Sequence, residues 1–97
     1  MKATDILFCI FNYHEAANAE FLYRELRPFF DSHIIDADSG ERPAPFDGDT
    51  VYLPNVYYSG MMHHAITMAE QGNYPYLFFI CSDVLISKDS LDQLKNV

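Results

Sequence analysis

Basic residues are the scarcest charged type in this sequence. Only 6 of the 97 residues are Lys or Arg, against 14 Asp and Glu, which gives a formal net charge of -8. Proteins that bind nucleic acids neutralise phosphates with clustered Lys and Arg. The composition therefore argues against a nucleic-acid partner and against an anionic membrane surface, whereas a divalent cation suits this charge balance better.

Cysteines and long apolar runs are also rare. Cys9 and Cys81 lie inside apolar runs, where an unpaired cysteine behaves as a small core residue, so we expect reduced thiols. No run reaches the roughly 18 apolar residues of a membrane span, and residues 1–5 lead directly into a strand pattern without a secretory signal. We therefore predict no direct membrane insertion and a cytoplasmic location.

Short apolar runs, in contrast, are abundant, since 49% of the residues are hydrophobic and 15% are aromatic. Residues 5–11 and 76–81 form nearly unbroken apolar runs, a pattern typical of strands buried on both faces of a parallel sheet. The second run ends at Ser82 and Asp83, and such sheets bind ligands beyond the carboxyl ends of their strands. Alternatively, Asp83 only begins a turn, where Asp is common.

Segments of helical period separate the strands. The pattern predicts strands at residues 5–11, 32–36 and 50–53 and from residue 76, with helices from 16 to Pro28, from 58 or 59 to 72, and opening at 87–91. The residues predicted to face inward are Ala17, Phe21, Leu22, Leu26 and Phe29, then Met61, Met62, Ala65, Ile66 and Ala69, then Leu91 and Leu94. Strands alternating with helices imply right-handed crossovers. We predict one α/β domain over residues 1–97, a Rossmann-like three-layer α/β/α sandwich with a mostly parallel sheet.

Polar residues follow three of the predicted strands, at 12–15, 36–40 and 82–83, and a fourth polar segment at 55–64 opens the second helix. Because the carboxyl ends of parallel strands share one edge, we expect these segments to meet. Convergent carboxylates without a basic patch suggest a divalent metal or the hydroxyls of a nucleoside. Mg²⁺ and Mn²⁺ take oxygen ligands and often use only one or two carboxylates together with phosphate oxygens.

Four short motifs lie near these strand ends. They are Phe11-Asn12-Tyr13-His14-Glu15, Ile34-Ile35-Asp36-Ala37-Asp38-Ser39-Gly40, Leu53-Pro54-Asn55 followed by Ser59-Gly60, and Phe79-Ile80-Cys81-Ser82-Asp83-Val84. In this order they resemble the nucleotide-sugar-binding half of a family 2 glycosyltransferase of the GT-A fold, and the match covers nearly the whole chain. The resemblance implies a GT-A-like sheet with the strand order 3-2-1-4. The last motif falls where that family has its D-x-D or N-x-D metal motif.

The resemblance implies that the chain binds a nucleotide diphosphate sugar, most simply a UDP-type donor for transfer to a hydroxyl acceptor. The loop at 11–15 would line the base pocket, Asp36 would accept a hydrogen bond from the base, and Asp38 or Ser39 would lie near base or ribose. His63 or His64 would face the nucleotide sugar. The implied binding residues are Phe11, Asn12, Tyr13, Glu15, Asp36, Asp38, Ser39, Gly60, His63 and Ser82.

Asp83 is the implied metal ligand, for Mn²⁺ or Mg²⁺ that bridges the diphosphate. Cys81 stands where the first acid of the motif is expected, and a thiol is a soft ligand poorly suited to these cations. An inverting transferase also needs a carboxylate base for the acceptor hydroxyl, which in this family follows the metal motif at a distance. The chain is therefore expected to be the donor-binding half, without the acceptor-binding half. We expect the last strand and helix to expose the apolar surface on which the acceptor-binding half would pack, and the chain to form homo-oligomers through it.

Two other functions stay open. One is a catalytically silent binding or interaction domain of the same fold, which the missing first acid favours. The other is a receiver-like signalling domain, which needs a Lys at a later strand end, whereas Lys88 lies in the opening of a helix. Tyr57 and Tyr58 either stack on a base or pack the start of their helix. His63 and His64 are adjacent and point to different faces of that helix, which disfavours a joint metal site.

Overall fold

The computed structural model describes residues 5–37, 40, 42–46, 48–54 and 57–96. Strands and helices alternate as predicted, close to the predicted bounds. The strands are β1 (Ile6–Asn12), β2 (Asp31–Asp36), β3 (Thr50–Tyr52) and β4 (Tyr76–Cys81), and the helices are α1 (Ala16–Leu26), α2 (Tyr58–Gln71) and α3 (Lys88–Lys95).

The four strands form one sheet in the order β3-β2-β1-β4, and each neighbouring pair is parallel. This confirms the predicted fold class and strand order. The chain passes from β1 through α1 to β2 on one side of β1, and later through α2 to β4 on the other side. The strand order therefore reverses at β1, and the carboxyl ends of all four strands lie at one edge.

β1 is the centre of the core, and all seven of its residues are buried. Successive side chains of a strand point to opposite faces, so β1 contributes to two separate apolar clusters. One cluster includes Ile6, Phe8 and Ile10 with Leu22 of α1 and Leu91 of α3, and the other includes Leu7, Cys9 and Phe11 with Met61 and Ala65 of α2. Helices thus cover both faces of the sheet, which confirms the three-layer architecture.

The prediction that the 76–81 run is buried on both faces is wrong. β4 lies at the edge of the sheet, where β1 is its one partner among the described strands, and its residues are exposed or half-buried. Tyr76 and Phe79 keep 47% and 42% of their surface exposed. An unbroken apolar run indicates a strand, but the number of neighbouring strands depends on tertiary structure, so β1 and β4 look alike in sequence.

The buried face of α1 also differs from the predicted one. The residues predicted to face inward but found exposed are Ala17, Phe21 and, beyond the helix, Phe29, whereas Ala19, Leu22, Tyr23 and Leu26 are buried. Tyr23 accounts for the difference. Its hydroxyl donates a hydrogen bond to Asp49 Oδ2 at 2.5 Å, and its ring stacks on Phe46 with centroids 4.4 Å apart. Both partners precede β3, so the periodicity of the helix could not identify them.

The other two helices follow their predictions more closely. α2 buries Met61, Ala65 and Ala69 and partly buries Met62, whereas Ile66 is exposed. α3 buries Leu91, and Leu94 packs partly buried against the same cluster. The side chain of Ser87 caps α3 by accepting a hydrogen bond from the backbone N–H of Ser90 at 3.1 Å, which satisfies one N–H of the first turn.

Both cysteines are free, as predicted. Burial of Cys9 in β1, and secondly the charge of Asp31, raise the pKa of the Cys9 thiol to about 12, so this thiol is protonated at neutral pH. Within the described part of the chain, no helix has the length and apolar character that crossing a membrane requires.

Candidate functional site

A buried hydrogen-bond network joins three strands at their carboxyl ends. The Asn12 side chain, at the end of β1, donates from Nδ2 to Asp36 Oδ1 of β2 at 2.8 Å. The Ser82 hydroxyl, just after β4, donates to Asn12 Oδ1 at 3.0 Å. All three side chains are buried, where a carboxylate is tolerated only if it is hydrogen-bonded. The strand ends that the sequence predicted to meet therefore do meet, with Asn12 at the centre.

The same residues shape the loop from β1 to α1. The backbone N–H of Glu15 donates to Asn12 Oδ1 at 3.2 Å, and that of Tyr13 donates to the Ser82 hydroxyl at 3.4 Å. His14 between them has a φ of 63°, the left-handed conformation in which His is enriched among residues other than Gly. The loop therefore turns sharply and directs the Tyr13 side chain outward.

A pocket of about 500 Å³ opens beside this loop, within the range of roughly 300–1,000 Å³ found for small-molecule sites. The described residues that line it are Phe11, Tyr13, Tyr57, Tyr58, Met61, Cys81, Ser82 and Asp83. They come from the carboxyl ends of β1 and β4 and from the start of α2. This is the point where the strand order reverses, which is the usual ligand site of open parallel sheets.

Four of the eight described lining residues are aromatic, namely Phe11, Tyr13, Tyr57 and Tyr58. Phe11 and Phe79 stack with centroids 5.2 Å apart, and Tyr58 meets both rings edge-on at 5.8 Å. Tyr57 and Tyr13 extend beyond this cluster, with 88% and 53% of their surface exposed. Tyr58 packs against Phe11 and Phe79 at the start of its helix, yet 47% of its surface is exposed and it lines the pocket, so stacking on a base also stays a prediction. The Tyr13 ring meets the His14 ring edge-on with centroids 4.3 Å apart, and Tyr57 has the most exposed surface of these tyrosines.

The first turn of α2 lies at the pocket wall and affects its electrostatics. Its N-cap residue, Tyr57, supplies no side-chain cap, and the first turn contains no acidic residue. The first N–H groups of a helix lack intrahelical acceptors and carry partial positive charge. The start of α2 therefore contributes partial positive charge to this side of the pocket, although the N–H groups of Gly60 and Met61 already donate to the carbonyl of Tyr57.

Asp83 is the only charged side chain among the described lining residues, and it is exposed. Beside it, burial and secondly the charge of Asp83 raise the pKa of the Cys81 thiol, so Cys81 is a poor ligand for a hard cation at neutral pH. Across the described residues, no three or more His, Cys, Asp or Glu side chains come together to hold a metal. The donor set fits a cation carried on ligand oxygens and anchored by one carboxylate, and does not fit a cage made by the protein.

Only some of the site residues implied by the resemblance line the pocket. Those that line the pocket are Phe11, Tyr13, Ser82 and Asp83, and those buried beneath it are Asn12 and Asp36. Glu15, Gly60 and His63 are not among the described lining residues, and Asp38 and Ser39 lie outside the described residues. Asp36 has no exposed surface and holds Asn12 in this conformation, so its direct contact with a base stays a prediction.

His63 and Gly60 both lie on α2. His63 is exposed and His64 is half-buried, so the two histidines do differ in their surroundings, as the sequence predicted. The backbone N–H of Gly60 donates to the carbonyl of Tyr57 at 2.9 Å, which places Gly60 in the first turn of the helix. Contacts from Gly60 or His63 to a sugar stay predictions.

Sequence reasoning missed two contributors to the site. Met61 was assigned to the core, yet it also lines the pocket. Asn18 of α1 donates from its side-chain amide to the carbonyls of Ser82 and Val84 and was not singled out. No local signal marks Asn18, because its partners are more than 60 residues away along the chain.

Scans against protein-family models, curated proteins and solved structures find no match to this chain. Membership of the glycosyltransferase family therefore stays a prediction that rests on the four motifs.

Proposed function

We propose that this chain binds a nucleotide diphosphate sugar of the UDP type at the pocket between β1, β4 and α2, as the donor-binding part of a family 2 glycosyltransferase. The observation that carries the proposal is the position and lining of the pocket. It lies where the strand order reverses, with aromatic walls, a helix N-terminus and a single exposed carboxylate. A planar base, a diphosphate and a divalent cation are together complementary to these three features.

Each part of the ligand has a counterpart in the pocket. The exposed side chains of Tyr13 and Tyr57 offer stacking surface for the base, and the partial positive charge at the start of α2 would attract phosphate oxygens. Asp83 would hold Mn²⁺ or Mg²⁺, which when bound supplies positive charge to the departing diphosphate. Gly60 and His63, on α2, are the proposed contacts for the part of the ligand that extends past the pocket.

We propose that these residues bind the donor and do not carry out the complete reaction. Transfer to a hydroxyl requires a base that takes the proton from the acceptor. Asp83 is the only carboxylate in the described pocket lining, and it is assigned to the cation. The two free cysteines support the accompanying proposal of a cytoplasmic location, since thiols stay reduced there.

The proposal is tested by thermal unfolding of the wild-type chain with UDP, with uridine and with Mn²⁺, separately and combined. A ligand at 100 times its Kd stabilises the folded state by about 2.7 kcal/mol, which raises the unfolding midpoint of a domain of this size by on the order of 10 °C. We expect this rise with UDP and Mn²⁺ together and a smaller one with uridine. A folded protein whose midpoint is unchanged by every nucleotide contradicts the proposal.

A catalytically silent binding module of the same fold is the second candidate, and the protonated thiol of Cys81 favours it. In such a module the pocket would bind its ligand without help from a cation. The same titration separates the two candidates, because UDP would then raise the midpoint equally with and without Mn²⁺.

We also propose that the chain forms homo-oligomers through the edge of β4 that no described strand covers. An apolar groove of about 400 Å³ runs along this strand, lined by Phe8, Leu77, Phe78, Phe79, Ile80 and Leu94. Edge strands are commonly protected from pairing by charged residues, and β4 contains none. The β4 edge of a second copy has the same apolar character, so the two edges match.

A charge on β4 is therefore expected to weaken self-association. Tyr76→Lys places a cation on the exposed edge, and we expect it to lower the average mass seen by light scattering across a concentration series. Ile66→Lys is the matched control, because Ile66 is exposed to a similar degree, 43% against 47%, but lies on α2. A wild-type chain that stays monomeric at every concentration, or equal effects of both variants, would count against the β4 interface.

A further inference from the structure

The turn that carries Asp83 is held on both sides by backbone hydrogen bonds. Before Asp83, the N–H of Ser82 donates to the carbonyl of Phe11 at 2.8 Å, which continues the pairing of β4 with β1. After it, the N–H of Val84 donates to the carbonyl of Cys81 at 3.1 Å and closes the turn. These bonds occupy the N–H groups on either side of Asp83.

The two carbonyls that flank Asp83 are bound by one side chain of α1. Asn18 Nδ2 lies 2.6 Å from the carbonyl oxygen of Ser82 and 3.0 Å from that of Val84. A side-chain amide has two N–H donors, so one group serves both carbonyls. Asn18 lies on the same helix as Leu22 and Tyr23, which are buried in the core, so the turn is attached to a rigid element.

We propose that Asn18 is a positioning residue that fixes Asp83 at the mouth of the pocket; this inference rests on the proposed function. Asp83 is the only carboxylate among the described lining residues. Its ability to bind a cation therefore depends on the position of one backbone segment and the direction of one side chain. Asn18 holds the backbone at the residues before and after it. Residues that orient metal ligands without touching the metal typically change affinity by about 10- to 100-fold when they are substituted.

Asn18→Ala and Asn18→Asp test the proposal through two ligands. Both variants remove the amide donors, and the second keeps the shape of the side chain. We expect calorimetry to show Mn²⁺-dependent UDP binding weakened by about tenfold, with uridine binding changed by less than about twofold, because uridine makes no use of Asp83. Asn96→Ala is the matched control, since Asn96 also donates from its amide to a backbone carbonyl, that of Asp92 at 3.0 Å on α3.

A double-mutant cycle with Asp83→Asn separates positioning from a general structural effect. Groups that act as one unit are not additive, so in the Asp83→Asn background Asn18→Ala is expected to cause no further loss of UDP affinity. Additive losses, or an equal loss of uridine binding, would overturn the role of Asn18 while leaving the donor site intact. A wild-type chain without Mn²⁺-dependent UDP binding would instead overturn the proposed function, and the inference with it.

Hydrogen exchange provides a readout that needs no ligand. If Asn18 holds the turn, Asn18→Ala should speed exchange of the Val84 amide and leave amides in the centre of β1 unchanged. Unchanged exchange at Val84 would show that the turn is held without Asn18 and would overturn the proposal.

Discussion

Asp83→Asn is expected to remove the Mn²⁺-dependent part of UDP binding while leaving the fold intact. Asn has the shape of Asp without its charge, and Asp83 is exposed, so the free energy of unfolding should change by no more than about 0.5 kcal/mol. Removal of the proposed metal ligand should cost at least the roughly tenfold seen for residues that only orient ligands. Binding of uridine should persist, because the aromatic walls are unchanged.

The measurement is a UDP titration by calorimetry, with and without Mn²⁺, on wild type, Asp83→Asn and Asp92→Asn. Asp92 is an exposed carboxylate of α3 that is not among the described lining residues of the pocket, so its variant controls for the change in net charge. If Asp83→Asn keeps the full effect of Mn²⁺, the cation is not held at this carboxylate. The metal part of the proposal then fails, whatever the affinity for UDP.

Asn12→Ala is expected to lower the free energy of unfolding by about 2–4 kcal/mol. The variant removes the donor to Asp36 and the acceptor for Ser82, and both of these side chains are buried. A buried carboxylate that loses a hydrogen-bond donor is penalised more than a neutral group. The same change also removes the acceptor for the N–H of Glu15, so the start of α1 should lose order.

Equilibrium unfolding in urea measures this effect, with Asn96→Ala as the control. The Asn96 amide donates to a carbonyl at an exposed position, so its loss should cost no more than about 0.5 kcal/mol. An Asn12→Ala variant with a loss below about 1 kcal/mol would show that the strand ends are held together by other contacts. Because the network lies directly below the pocket, we also expect this variant to bind UDP more weakly than wild type.

The two predictions separate the two layers of the site. The buried layer, Asn12 with Asp36 and Ser82, joins strands and should govern stability. The exposed layer, Asp83 with Tyr13 and Tyr57, faces the pocket and should govern ligand binding. Asn18 connects the layers, because it binds the turn that runs from Ser82 to Val84.

The sequence by itself determined the elements, their order and the meeting of three strand ends. Apolar runs, helical period and breaks at Pro and Gly are local signals, so β1, α2 and the other elements were predicted close to their observed bounds. The mostly parallel sheet followed from the alternation of strands with helices, whereas the strand order was predicted from the resemblance to the GT-A fold. Asn12, Asp36 and Ser82 were expected at one edge because each follows or ends a parallel strand.

Only the tertiary structure decided how far each strand is buried and which side chains form the pocket. β1 and β4 have similar sequences, and β4 is half-exposed because it has a single neighbour in the sheet. The buried face of α1 differs from the predicted one because Tyr23 contacts Asp49 and Phe46. The side chain of Asn18 donates to the backbone carbonyls of Ser82 and Val84. Each of these outcomes depends on residues far apart in the chain, and a local pattern carries no information about such contacts.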